Sequence, residues 1–155
     1  MTGFYISRQH GKKIKILKAL EDFFYGFSQF MPLTEDGIAG CIKRLSIAES
    51  LKELSFPKIF SENFYFGCDV RKLWRESISD DIAVNYIGEQ LKSVIVSFSD
   101  YFGNIPMDVF CSKCETFGGM FSEILQKENE KWEKNRSLFV SSGVLGAAAV
   151  FFILI

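Results

Sequence analysis

Nucleophilic, metal or redox chemistry in this chain would have to come from four cysteines and one histidine. Cys111 and Cys114 form a C-x-x-C pair, the spacing of a thiol-exchange motif or of half a zinc site. A zinc site needs a second pair of ligands. Cys41 and Cys68 stand far apart in sequence, and His10 is distant from all four cysteines. Cys111 and Cys114 also fall at helical spacing with Phe110, Phe117 and Phe121, which reads them as core cysteines; thiol exchange through the pair is the alternative. His10 sits among Arg8, Lys12, Lys13 and Lys15 and reads as solvated surface. The carboxylate pairs Asp80 with Asp81 and Glu128 with Glu130 are accounted for by helix capping and solvation. No G-x-x-x-x-G-K-[ST] phosphate loop occurs. The residues thus name no catalytic group, no cofactor and no metal site, and the chain reads as a non-enzyme.

What could organise the chain is its last stretch, Leu138 to Ile155 (LFVSSGVLGAAAVFFILI), which carries no charge. As a helix it would measure roughly 27 Å at 1.5 Å per residue, close to the hydrocarbon thickness of a bilayer. It reads as a C-terminal transmembrane anchor, because a buried helix of this length in a small domain would keep a polar face. Lys127, Lys131, Lys134 and Arg136 precede it, so the positive-inside rule puts the upstream residues in the cytoplasm. Within it, Ser142 and Gly146, and Gly143 and Ala147, are four apart. Small residues at that spacing let a second membrane helix approach closely, and they are equally common in any membrane helix.

Residues 1–137 are enough for one compact domain. Lys and Arg number 18 against 19 Asp and Glu, so no strong field favours nucleic acid or an acidic substrate. Phe is frequent at 17 and Pro scarce at 3, a balance suited to helices packed through aromatic side chains. The opening MTGFYI is apolar but too short to span a bilayer, and no cleavable secretory leader is evident. The cluster Lys12, Lys13, Lys15 fits contact with anionic lipid headgroups, at about 1 kcal/mol per charge, and equally a plain solvated face.

Hydrophobic periodicity predicts an all-α fold. Ile14, Leu17, Leu20, Phe24, Phe27 and Met31, widened by Phe23 and Phe30, predict a first helix from about Gly11 to Gln29, closed by Pro32. Thr34 reads as the cap of a second helix that buries Ile38, Ile42 and Leu45. Its end is open, because Ser46 and Glu49 also resemble a capping box. Ser55 and Pro57 start a third helix, with Gly67 as its stop. Asp69 caps a fourth, with Val70, Leu73, Trp74 and Ile78 on one face. Asp80 and Asp81 open a fifth whose stripe runs through Ile87, Leu91, Val94, Ile95, Phe98 and Phe102 to Gly103. Pro106 begins a last helix that passes through KENEKWEKNRS into the apolar stretch without a strong breaker. The expected architecture is a cytoplasmic bundle of about six helices with a C-terminal transmembrane helix.

The order of these segments resembles the stage III sporulation protein AB family of endospore-forming bacteria over nearly the whole chain. Thr2-Gly3-Phe4 and KKIKILKALEDFFYGFSQFMPL, with Leu17, Leu20, Pro32 and Leu33, are similar to the family's first basic helix and its Pro-Leu turn. Trp74-Arg75-Glu76-Ser77 resembles its Trp-Glu-x-Ser/Leu helix, and Phe98 to Asn104 its Phe-Gly-x-x-Leu-Gly turn. Lys131 to Ile155 resembles its polar run and terminal anchor. Two departures stand out. The family usually begins with its own membrane helix, whereas here Thr2-Gly3 stands where that helix would be ending, through either a late start or a lost anchor, and the stretch Ser46 to Phe56 looks longer than usual. The resemblance implies a soluble domain similar to the cytoplasmic domain of the inner-membrane platform protein of type II secretion and type IV pilus machines. It implies a place in the mother-cell membrane facing the forespore, within the channel complex assembled during engulfment. The implied partners are a secretion-type sporulation ATPase, other membrane proteins of the channel and membrane lipid, with no nucleic acid and no small-molecule substrate. A membrane-anchored adaptor of another type II secretion or pilus-like system is the alternative.

Overall fold

The aromatic stripe of the first long segment forms the centre of the molecule. The computed structural model describes residues 4–137 with their side chains, and its first and last helices are bounded at Thr2 and Leu154. Among the described residues seven α-helices follow in order: α1 (Thr2–Phe30), α2 (Gly37–Ser46), α3 (Phe56–Asn63), α4 (Val70–Ser79), α5 (Ile82–Tyr86), α6 (Glu89–Ser97) and α7 (Met107–Leu154). Short 3-10 turns lie at Met31–Leu33, Glu49–Leu51 and Phe98–Tyr101, and no strand occurs among the described residues. The protein is all-α.

α1 and α7 pack antiparallel as the spine. Phe27 meets Phe110, Phe24 meets Phe117 and Phe121, and Lys13 meets Glu128, so paired residue numbers sum to a nearly constant value. Tyr25 lies against Gly118, where a side chain would collide with its ring. The remaining helices wrap the other sides of α1, burying Phe23, Trp74, Phe56, Phe60 and Phe98 completely. Trp74 is the hub: its ring touches Phe23, Phe56, Phe60, Phe98 and Phe102, and its Nε1 donates to the Ile95 carbonyl at 2.9 Å. Each such ring contributes about 1.5–3 kcal/mol by burial, with edge-to-face pairs adding about 0.5–1.5 kcal/mol.

Several boundaries differ from the sequence expectation. α1 begins at Thr2 rather than near Gly11, and its contacts with α5 and α7 start only at Gln9 and His10. Ile16 and Ala19, outside the expected stripe, are buried, whereas Ile14 is only half-buried, since α1 is covered from more than one side. Thr34 does not cap α2; that helix starts three residues later, after Asp36, with Gly37 at a φ of +66°. α2 ends at Ser46, whose hydroxyl donates to the Lys43 carbonyl. α3 ends at Asn63, ahead of Gly67, which takes a φ of +89° in the following loop. The expected fifth helix is two, broken at Gly88, whose φ of +105° no helix accommodates. Asp69 does cap α4, accepting from the amides of Arg71 and Lys72. Asp81 does more than cap α5. Fully buried, it accepts from Val84 N with one oxygen and from both Ser55 N and Phe56 N with the other, fastening the starts of α3 and α5 together.

Candidate functional site

The C-x-x-C pair is the sequence's one redox signal. Cys114 is fully buried and Cys111 half-buried, on the face of α7 that also carries Phe110 and Phe121. Cys41 of α2 and Cys111 of α7 donate to adjacent carbonyls at the end of α1, those of Phe27 and Ser28, at 3.8 and 3.5 Å. Burial pushes the Cys41 thiol up to about 12 and raises Cys111 and Cys114 as well. Thiol exchange requires the opposite shift, toward the thiolate. Cys68 is half-buried in the α3–α4 loop. No cluster of His, Cys, Asp or Glu suited to hold a metal occurs among the described residues.

The residues that the sequence singled out for membrane contact gather at one end of the α1–α7 spine. Here His10 is only partly solvated, not the free surface side chain expected. Its imidazole stacks on the indole of Trp132, centroids 4.5 Å apart and planes 10° apart. Burial lowers its pKa below 6.5, Glu128 opposes that shift and Lys13 adds to it. One turn along, Lys13 pairs with Glu128 at 3.0 Å. Both groups are partly exposed, so the pair fixes register more than it stabilises, at about 1 kcal/mol or less.

The three lysines of the basic cluster thus differ in role. Lys13 is engaged across the helix pair. Lys12 lies 4.4 Å over the ring of Tyr86, and that tyrosine donates its hydroxyl to the Gln9 carbonyl at 3.3 Å, joining α5 to α1. Lys15 is exposed and, with Tyr5, Arg8, Lys12, Glu53 and Tyr86, lines an open groove of about 650 Å³. Beyond it, the first described residues of α1 are bare: Phe4 is 81 % exposed, and Tyr5 and Ile6 are also exposed. On α7, Lys131, Lys134 and Arg136 are all exposed. Sequence reasoning missed Tyr5 and Tyr86 here. Trp132 carried a usable signal, an isolated aromatic in a charged run at helical spacing from Leu125. Tyr86 carried none, since its contacts cross the fold.

Register sets the level of this end. His10 is opposite Trp132, so six residues earlier Phe4 stands level with the last described turn of α7, which ends at Ser137. The apolar stretch 138–155, with Ser142, Gly143, Gly146 and Ala147, lies outside the described residues. Among those described, no helix is long and apolar enough to cross a membrane.

The opposite end of the bundle holds the Met31–Leu33 turn, the α3–α4 loop and the start of α7. It exposes Leu33, Tyr65 and Phe66, the last at 97 %. A groove of about 550 Å³ beneath Phe66 is lined by Glu35 and Asp36 with Lys43. No family model, curated protein or solved structure matches the chain.

Proposed function

We propose that the protein is a membrane-anchored, non-enzymatic platform whose helical bundle holds partner proteins at the bilayer surface. The carrying observation is the continuity of α7. The helix that supplies Phe110, Cys114 and Phe121 to the core is the same element, bounded at Leu154, that leads into the uncharged stretch 138–155. A rigid helix shared by core and anchor would transmit force or fix orientation, where a flexible linker would do neither. The flank Lys131, Lys134 and Arg136 fits the cytoplasmic side of such an anchor. Ser142, Gly143, Gly146 and Ala147 would form the face on which another membrane helix packs. The thiol-exchange alternative is disfavoured by the raised pKa of all three clustered cysteines.

The resemblance to the stage III sporulation protein AB family gives this platform a setting. In that setting the protein resides in the mother-cell membrane facing the forespore, with its bundle in the cytoplasm. It docks a secretion-type ATPase and organises the channel's other membrane proteins. The exposed Tyr65 and Phe66, at the end remote from the anchor, offer an aromatic surface of the kind protein partners use. An anchored adaptor of another secretion or pilus-like system is the second reading, since it would use the same bundle and anchor.

The test is deletion of the gene in its host, with counts of heat-resistant spores and microscopy of the arrest stage. The sporulation reading expects a loss of several orders of magnitude with arrest after engulfment. It also expects full rescue by the whole chain and none by a chain ending at Ser137. Normal sporulation would overturn it and leave the adaptor of another system.

A further inference from the structure

The two ends of the bundle differ in the charge that accompanies their exposed apolar residues. At the Phe66 end the groove lining is acidic, Glu35 and Asp36 against Lys43. At the α1 end, Arg8, Lys12 and Lys15 line the groove with Tyr5 and Tyr86, against the carboxylate of Glu53. Phe4, Tyr5 and Ile6 lie at the outer end of this groove, and all three are exposed. Exposed aromatic and aliphatic residues bordered by cations are the composition of a surface that enters the headgroup layer of an anionic bilayer.

We propose that the first turns of α1 form a second bilayer contact, with Phe4, Tyr5 and Ile6 in the headgroup layer and Arg8 and Lys12 pairing electrostatically with anionic lipid. The proposal rests on the reading of 138–155 as a membrane span and adds to it an orientation for the bundle. The register supplies the depth. Phe4 is level with Ser137, the residue before the apolar stretch, while Arg8 and Lys12 lie roughly 6 and 12 Å further out at 1.5 Å per residue. An interfacial layer extends about 5–7 Å on each side of the hydrocarbon. Arg8 therefore falls at its edge and Lys12 within about one Debye length, where attraction to an anionic surface persists. Two contacts side by side on antiparallel helices would hold the spine near upright, with Tyr65 and Phe66 directed away from the membrane. A single anchor at the end of α7 would leave that tilt undetermined.

The experiment compares Tyr5→Trp and Phe66→Trp in the full chain, each reconstituted into vesicles of phosphatidylcholine and phosphatidylglycerol brominated near the headgroup end of the acyl chains. Subtracting the parent chain removes Trp74 and Trp132. The added Trp at position 5 is expected to lose most of its emission to bromine, and the one at position 66 to keep it. Replacing phosphatidylglycerol by phosphatidylcholine is expected to weaken quenching at position 5. Chain that floats with the vesicles but leaves position 5 as bright as position 66 overturns the second contact alone. Chain that fails to float overturns the anchor and the second contact with it. Quenching indifferent to anionic lipid overturns the role given to Arg8 and Lys12.

Discussion

Alanine at position 118 is expected to make the protein less stable than alanine at position 119, although both replace a glycine inside α7. Each substitution gains about 1 kcal/mol of helix propensity, and that gain cancels in the comparison. Space does not cancel. A Cβ on residue 118 would stand 2.9 Å from Cδ1 and Cε1 of Tyr25 and 3.0 Å from Cζ, whereas on residue 119 the nearest atom is the Tyr25 hydroxyl at 3.8 Å. A ring met along one edge cannot yield by moving a terminal atom. Either Tyr25 leaves its position or α1 and α7 separate. Overpacking of this kind costs roughly 1–3 kcal/mol, so Gly118→Ala is net destabilising by up to about 2 kcal/mol. Gly119→Ala is expected to stabilise by up to about 1 kcal/mol. The gap of about 1–3 kcal/mol corresponds to several degrees of melting temperature at about 2–4 °C per kcal/mol. Thermal unfolding of the full chain in mild detergent, followed by circular dichroism, measures it. In a Tyr25→Ala background the gap is expected to close, because the obstacle is gone. Equal melting temperatures for the two alanine variants in the parent background would refute the reasoning.

Asp81→Ala removes three hydrogen bonds from a fully buried carboxylate and leaves the amides of Ser55, Phe56 and Val84 without an acceptor. A loss of about 3–5 kcal/mol is expected, against at most about 0.5 kcal/mol for Asp80→Ala at the exposed neighbour; similar losses for the two would contradict the double-cap role. His10 gives a pH dependence with a definite sign. Its folded pKa is lowered from 6.5, first by burial against Trp132, so the unfolded chain binds the proton more readily. The stability it contributes is complete above about pH 6.5 and is lost as pH falls through the folded pKa. An imidazole titration by NMR is expected to place the midpoint below 6.5 and to move it upward in Trp132→Ala; a parent midpoint at or above 6.5 would sink the stacked arrangement.

Helical periodicity carried the fold class and most of the core, Leu17, Leu20, Phe23, Phe24, Phe27, Ile42, Leu45, Trp74 and Phe121 being buried as their spacing required, while Pro57, Asp69 and Pro106 marked the starts of α3, α4 and α7. Local capping chemistry was equally legible at Asp69, because an N-cap depends only on amides two and three residues ahead. What failed were features in which a local signal competes with a distant partner. Gly88 reads as tolerable inside a strong apolar stripe until its backbone takes a positive φ. Asp81 reads as one helix cap, yet its second oxygen serves amides some 25 residues away.

The candidate site divides in the same way. Sequence determined which side chains can be cationic, aromatic or apolar near the chain's beginning and before its uncharged stretch, because those are properties of composition along the chain. Only tertiary structure decided that Lys13 is engaged with Glu128, that Lys12 covers Tyr86 and that His10 lies on Trp132. Each of these contacts joins residues about 70 or more positions apart, and their register follows from how Tyr25 fits against Gly118 and Phe24 against Phe121. The pairing that brings Phe4 level with Ser137 is a consequence of that packing, which no local pattern encodes.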